Sequence, residues 1–270
     1  MIIEDKKNKI EMIIKDRSIK IIYNFNNKEK EKIYIDQGII IDGLVIKADK
    51  LLNIIKNKIK TKKIKNKTSL IINIDSNKSK YFNLDIPPQN SKKDIKELLN
   101  LETNAKKYYS NYYIYKDKKE NSKKLFVVSI PKNIVNDYLK VFAKLCENKL
   151  SNKKIKLKKI QHKTFRNLKT FLNLENKESK EKIIYISDYK ALVFVFGKDL
   201  NFSRIIDVNI KKIKNELDLE KLINKIYRTL DYYEVNYNNN LDELTLVNKT
   251  DKNVFEDLKL KTGLDINLKN

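Results

Sequence analysis

The chain has 270 residues, 41% hydrophobic and 35% charged, enough for one large domain or two lobes with a substantial core. Four glycines and three prolines exclude collagen-like, linker-rich and propeller-like chains, and leave little glycine for a backbone phosphate cradle. The net charge of +24 rests on 55 lysines against 4 arginines. Base-specific nucleic-acid readout leans on arginine's planar fork, so this charge predicts loose attraction to acidic membranes or acidic partners, and no specific nucleic-acid partner.

Cys146 is the single cysteine, so no internal disulfide forms, and a lone histidine, His162, excludes a histidine metal pair. Charges at Glu4, Asp5, Lys6 and Lys7 interrupt the first apolar residues at once, unlike a signal peptide. Apolar runs such as Leu192–Phe196 fall far short of the ~20 residues that span a bilayer. A cytoplasmic location is expected.

In chain order, Lys9–Ile14, Ser18–Phe25 and Glu31–Asp36 alternate as three strands with polar turns between them. Ile39–Ile46 reads as a strand and Ala48–Lys60 as a helix burying Leu51, Leu52, Ile55 and Ile59. Ser69–Ile74 and Lys80–Ile86 read as a hairpin, closed by Pro87 and Pro88. Ser91 is an N-cap candidate for a helix over Lys92–Lys107, with Ile95, Leu98, Leu99 and Glu102 or Ala105 inward. Tyr108–Tyr115 reads as a strand and Asp117–Lys124 as a charged surface loop.

Leu125–Ile130 is then a buried strand, and Asn133 caps a helix burying Ile134, Val135, Tyr138, Leu139, Phe142, Leu145 and Cys146. A strand at Ile155–Ile160, a short helix at Thr164–Leu172 and a charged linker at Glu175–Glu181 follow. Lys182–Ser187, Ala191–Phe196 and Leu200–Val208 form a second run of three strands. A helix over Asp218–Tyr233 turns Leu219, Leu222, Ile223, Ile226, Tyr227 and Leu230 inward. A strand at Glu243–Val247, a helix at Lys252–Lys261 ending at Gly263, and a strand at Asp265–Leu268 close the chain.

A three-stranded meander followed by alternating strand and helix thus occurs twice, the first copy interrupted by an insertion. That is an α/β chain with the element order of the actin-like (ribonuclease-H-like) fold, duplicated, with an inserted α+β subdomain. The expected bounds are 1–36 with 123–174 for the first lobe, 37–122 for the insertion and 182–270 for the second lobe.

Local motifs resemble one actin-like family. Gly38-Ile-Ile-Ile-Asp-Gly43 before the Ala48 helix resembles the G-x-I-x-D-G start of the inserted subdomain in the PilM family of type IV pilus assembly. Ser18-Ile-Lys20 with Ile21 and Ile22 resembles its S-I-K-V-V strand, and Tyr81–Pro87 its apolar strand ending in L-P. Leu125–Pro131 resembles V-L-V-A-A-P, Phe202–Ile206 resembles F-x-R-x-I, and Ile226–Tyr233 resembles I-x-R-S-L-x-Y-Y. Order and spacing over nearly the whole chain carry the likeness.

The departures fall on the nucleotide loops. Ile13, Ile14 and Lys15 stand where the family has Asp-Ile-Gly, whose glycine lets backbone N–H groups converge on phosphate. The second phosphate turn is Ser187-Asp188-Tyr189-Lys190, and the adenine-side loop is Val247–Asp251, both without glycine. About ten residues separate Val208 from the next helix, so the second lobe's small subdomain is reduced or missing. The resemblance therefore implies an adaptor that has lost ATP and needs no cofactor.

Its implied partner is the cytoplasmic N-terminal peptide of a PilN-like membrane protein, with a pilus assembly ATPase as a further partner and peripheral placement at the inner membrane. The implied peptide groove is formed by Ile39, Ile41, Leu44, Tyr81, Phe82, Leu84, Tyr112 and Tyr113. Two rival readings are a nucleotide-binding PilM- or FtsA-like protein and a nonspecific basic nucleic-acid binder. Asp188 and Ser187 read as turn formers, Cys146 as core, and His162 as a polar-loop residue. Glu216, Asp218 and Glu220 read as carboxylates favouring a helix N-terminus, and no catalytic site is expected.

Overall fold

The structure, a computed structural model, describes residues 8–25, 28–62, 64, 68–86, 92–117, 121–147, 155–173, 182–186, 190–196, 200–206, 208, 213, 215–237, 243–248, 255–262 and 265–268. The sequence-predicted Ser91 cap, the Pro87-Pro88 close, the 175–181 linker and Gly263 lie outside these residues. So do the turn residues Ser187, Asp188 and Tyr189, and Lys249, Thr250 and Asp251.

The strands β1 (Lys9–Lys15), β2 (Ser18–Asn24) and β3 (Lys28–Tyr34) form an antiparallel meander. Isoleucine-rich alternation suits them to a pleated surface, and Ile21, Ile22 and Tyr23 are buried in succession, so β2 is covered on both faces there. β6 (Thr68–Ile74) pairs parallel with β1, and β10 (Ile155–His162) pairs parallel with β6, giving the order β10-β6-β1-β2-β3. The predicted hairpin of residues 69–86 is therefore not formed. β6 is taken by β1 and β10, because its Leu70, Ile72 and Ile74 complete the core that Ile10, Met12 and Ile14 begin.

The predicted strand 39–46 is also broken. β4 (Ile40–Ile41) and β5 (Leu44–Val45) are two short antiparallel strands folded about Asp42 and Gly43. Both turn residues have positive φ, 50° and 83°, the geometry that matches a tight hairpin to strand twist.

Helices α1 (Ala48–Lys60) and α3 (Lys132–Glu147) cover one face of this sheet. α1 buries Leu51, Ile55 and Ile59, spaced four residues apart. α3 starts at Lys132, one residue before the predicted cap, and buries Val141 rather than Leu139, which is 38% exposed. Cys146 is half-buried against the same core, and burial pushes its thiol pKa up.

The second sheet repeats the topology: β11 (Lys182–Ile186), β12 (Ala191–Phe196), β13 (Leu200–Ile206), β14 (Glu243–Asn248) and β15 (Asp265–Leu268), ordered β13-β12-β11-β14-β15. β11, β14 and β15 are parallel, and β11, β12 and β13 are antiparallel. α5 (Glu216–Tyr237) packs Leu222, Ile223, Ile226, Leu230 and Tyr233 on it, and α6 (Phe255–Thr262) adds Leu258. Tyr227, predicted inward, is 40% exposed. Asn215 Oδ1 accepts the Asp218 N–H at 2.9 Å, an N-cap that the sequence reading missed.

β7 (Lys80–Ile86), β9 (Ser122–Pro131) and β8 (Tyr108–Asp117) form a third sheet, with β9 central. α2 (Lys92–Thr103) ends four residues before the predicted Lys107, leaving Glu102 exposed. Within the predicted surface loop 117–124, Asp117 ends β8 and is buried, and residues 122–124 begin β9. By contacts, residues 1–80, 100–111 and 128–168 make one compact unit, and 81–99, 112–127 and 169–270 the other. This division differs from the bounds drawn from element order.

Candidate functional site

In open α/β sheets the parallel strands' carboxyl ends are the usual place for ligands. In the first unit, β6 ends at Ile74 and hands on to Asp75, while β10 ends on His162 and hands on to Lys163, the first residue of α4 (Lys163–Asn173). All three side chains are buried. Asp75 Oδ2 lies 3.4 Å from Lys163 Nζ, and Asp75 Oδ1 lies 3.4 Å from His162 Nε2. His162 Nδ1 accepts the Thr164 N–H at 3.2 Å, so Nε2 carries the ring proton and faces the carboxylate.

Burial works against the Asp75 charge, yet Lys163, His162 and Lys15 outweigh it and hold the carboxyl well below the usual carboxylate range. The polar-loop reading of His162 is thus corrected. A polar residue at a strand end is drawn inside when a buried carboxylate and a helix N-terminus both need it, and single-residue context carries no sign of either.

A second polar row lies beside this cluster. Asn73 Nδ2 donates to Glu11 Oε1 (2.9 Å) and Gln161 Nε2 to Asn73 Oδ1 (2.8 Å), linking β1, β6 and β10. Arg166 Nε donates to Glu11 Oε1 at 2.9 Å and ties α4 to the sheet. The row acts as a clasp on α4, while the buried Gln161 Oε1 has no hydrogen-bond partner among the described residues.

Ile13, Ile14 and Lys15 belong to β1, which turns into β2 through only Asp16 and Arg17. Asp16 Oδ1 accepts the Gly43 N–H at 3.0 Å, and Ser76 Oγ donates to the Asp42 carbonyl at 2.8 Å. The Asp42-Gly43 turn therefore seats directly on the ends of β1 and β6. A Cβ at Gly43 would meet the Asp75 carbonyl oxygen at 2.4 Å, so no other residue fits there without movement.

The predicted groove residues divide between the two units. In the first, Ile39 is buried in the core, Leu44 is half-buried and Ile41 is 50% exposed. In the second, Phe82 and Leu84 pack against Ile86, Ile95, Leu99, Leu125 and Val127, while Tyr81 and Tyr113 are half-buried. Tyr112 is 46% exposed, and Ile114, outside the predicted groove set, is 41% exposed beside it. β7 and β8 flank β9, so the 81–84 set and the 112–113 set occupy opposite edges of one sheet, about 9–10 Å apart.

β8 is held by its inward residues. Lys124 Nζ lies 3.1 Å from Asp117, and the Tyr237 hydroxyl donates to that carboxylate at 3.0 Å. Ser203 Oγ donates to Asn83 Oδ1 at 2.8 Å and lies 3.2 Å from the Tyr115 hydroxyl. Burial raises the Tyr115 pKa, keeping the phenol neutral.

No family model matches the chain, and no curated protein matches it in sequence. Solved structures do match. A PilM–PilN type IV pilus biogenesis complex aligns over 98% of this chain and 89% of its own, with a TM-score of 0.66 at 11% identity. A Bacteroides thetaiotaomicron protein with an actin-like ATPase fold and unknown function aligns over 100% and 94%, with a TM-score of 0.55 at 13% identity. The chain has the actin-like ATPase fold, as its duplicated strand order indicates.

Among the described residues no group of three or more His, Cys, Asp or Glu side chains could hold a metal, and no helix is long and apolar enough to cross a membrane.

Proposed function

We propose that the protein is a non-catalytic, PilM-like adaptor of a type IV pilus or related secretion machine at the inner face of the cell membrane. It takes the cytoplasmic N-terminal peptide of a PilN-like membrane protein, and it has lost ATP binding. The observation that carries this reading is β8, an outer strand of its sheet among the described residues, with Tyr112 and Ile114 exposed while Tyr115 and Asp117 anchor it inward. An extended peptide could add to that edge by main-chain hydrogen bonds and rest apolar side chains on those two residues. Alignment with the PilM–PilN complex over nearly the whole chain supports the choice of partner class.

Loss of ATP is supported by the two-residue Asp16-Arg17 turn, whose carboxylate already holds the Gly43 N–H. An anionic phosphate would meet that carboxylate at close range.

Titration of a fluorescent peptide covering a PilN-like N-terminus tests the reading. Tyr112→Ala with Ile114→Ala should weaken binding at least tenfold, and removing the peptide's first ~10–15 residues, one extended strand and its flanks, should abolish it. Unchanged affinity in either case sinks the proposal. A saturable thermal shift specific for Mg-ATP over phosphate would instead favour the nucleotide-binding reading.

A further inference from the structure

The two faces of the β2–β3 hairpin are charged in opposite senses. On the helix side, Glu31 Oε1 accepts from Lys58 Nζ at 2.8 Å, and Glu29 pairs with Lys62, just past the end of α1. The other face carries Lys28, Lys30 and Lys32 at alternate positions of β3. Lys20 stands directly across from Lys32, and the strands run in unbroken register. Among the described residues no carboxylate pairs with these four lysines.

Like charges directly opposed across a strand pair cost stability. Lys20 registers the crowding: its pKa is lowered by burial first, then by Lys30, Arg166, Lys32 and Lys28. Guarding an edge strand requires charge of either sign, and Glu at one of these positions would guard as well without the repulsion. A local rule broken with no compensation inside the fold points to compensation from outside it.

Tyr34 extends the same face and is 74% exposed, with Lys32 Nζ 4.6 Å from its ring centroid. We infer that the Lys20, Lys28, Lys30, Lys32 and Tyr34 face of the β2–β3 hairpin is a docking surface for an anionic membrane. Lysines act as mobile point charges suited to lipid phosphates, and an amphipathic tyrosine suits the headgroup level. A nucleic-acid platform would string several aromatics along the face for stacking, and this face holds one. The surface lies apart from β8 in sequence and in element, so it stands whether or not β8 takes a peptide.

Co-sedimentation with phosphatidylglycerol-containing vesicles, against pure phosphatidylcholine vesicles, tests it. The protein should partition onto the anionic vesicles only. Lys28→Gln, Lys30→Gln and Lys32→Gln together should reduce partitioning by about 100-fold, roughly fivefold per lysine. A control with the same net charge, Lys96→Gln, Lys106→Gln and Lys107→Gln, should lose less than tenfold, and both variants should keep the parent's affinity for the β8 peptide. Equal losses in the two triple variants would reduce the effect to net charge and overturn the assignment. So would failure of the parent to partition, or a stripe variant that loses single-stranded oligonucleotide binding while vesicle binding stays intact.

Discussion

β3 and β13 hold the same place in two copies of one topology, each the third strand of a meander at the outer edge of a five-stranded sheet. Their chemistry is nearly opposite. β3 reads Lys-Glu-Lys-Glu-Lys-Ile-Tyr with only Ile33 buried, whereas β13 reads Leu-Asn-Phe-Ser-Arg-Ile-Ile with five of seven residues buried. β13 is covered because Phe202 packs against Tyr232, Tyr233 and Tyr237 of α5, and because Ser203 is hydrogen-bonded to Asn83. β3 has helix-side salt bridges and a lysine face turned outward. Strand order is thus inherited by both copies, while the covering of each edge is decided by whatever packs on it.

The middle strands repeat the contrast. β2 leaves Lys20 exposed, whereas all six residues of β12 are buried, with Phe194 edge-to-face on Phe126 at 5.2 Å. The first sheet therefore places charge at its strand ends and on its surface, and the second relies on apolar burial.

The largest expected test of that contrast is Asp75→Asn. Leaving Lys163 buried without its carboxylate should cost about 3–5 kcal/mol. Native-state hydrogen exchange should then show faster opening in β6, β10 and the first turn of α4, with β11–β15 unchanged. Equal loosening of both sheets would refute the idea that the charge cluster acts locally.

The same pair makes a pH prediction. The folded Asp75 pKa is depressed, so its contribution is complete above the ordinary aspartate value of about 4. It is lost as pH falls below that value toward the folded one. Denaturant midpoints measured from neutral to acid pH should show a steeper acid loss for the parent than for Asp75→Asn.

A smaller effect separates strain from crowding at two glycines with the same φ of +83°. Gly38→Ala meets nothing within 4 Å and should cost only the left-handed backbone penalty of about 1–2 kcal/mol. Gly43→Ala adds the clash with the Asp75 carbonyl and should cost about 1–3 kcal/mol more, because the hairpin turn must lift from the strand ends. Equal losses by thermal denaturation would mean that the turn is not seated as described.

The smallest effect has the opposite sign. Lys32→Glu turns a repelling pair with Lys20 into an attracting one and should stabilise the fold by about 0.2–1 kcal/mol, screened by salt. Destabilisation would mean that the lysine face is already compensated within the chain.

Much of the fold was legible because burial writes periodicity into a chain. Alternating isoleucines marked the strands, the four-residue spacing of Leu51, Ile55 and Ile59 marked α1, and the recurrence of one element order revealed the duplication. Pairing partners were less legible. The 69–86 stretch looks like a hairpin locally, but β6 gains more by completing the core between β1 and β10. The placement of the groove residues was not legible for the same reason, since local pattern could not put β7 and β8 on opposite edges of β9.

Composition and pattern alone determined the α/β class, the repeat, the scarcity of glycine at the turns and the large positive charge. Only the tertiary structure decided that His162 is buried against Asp75 and that the Gly43 turn caps the first sheet. It also decided that Lys20 faces Lys32. Each of these joins residues far apart in sequence or on separate strands. Such contacts are set by which surfaces must leave water together, a requirement of the whole chain that no single segment records.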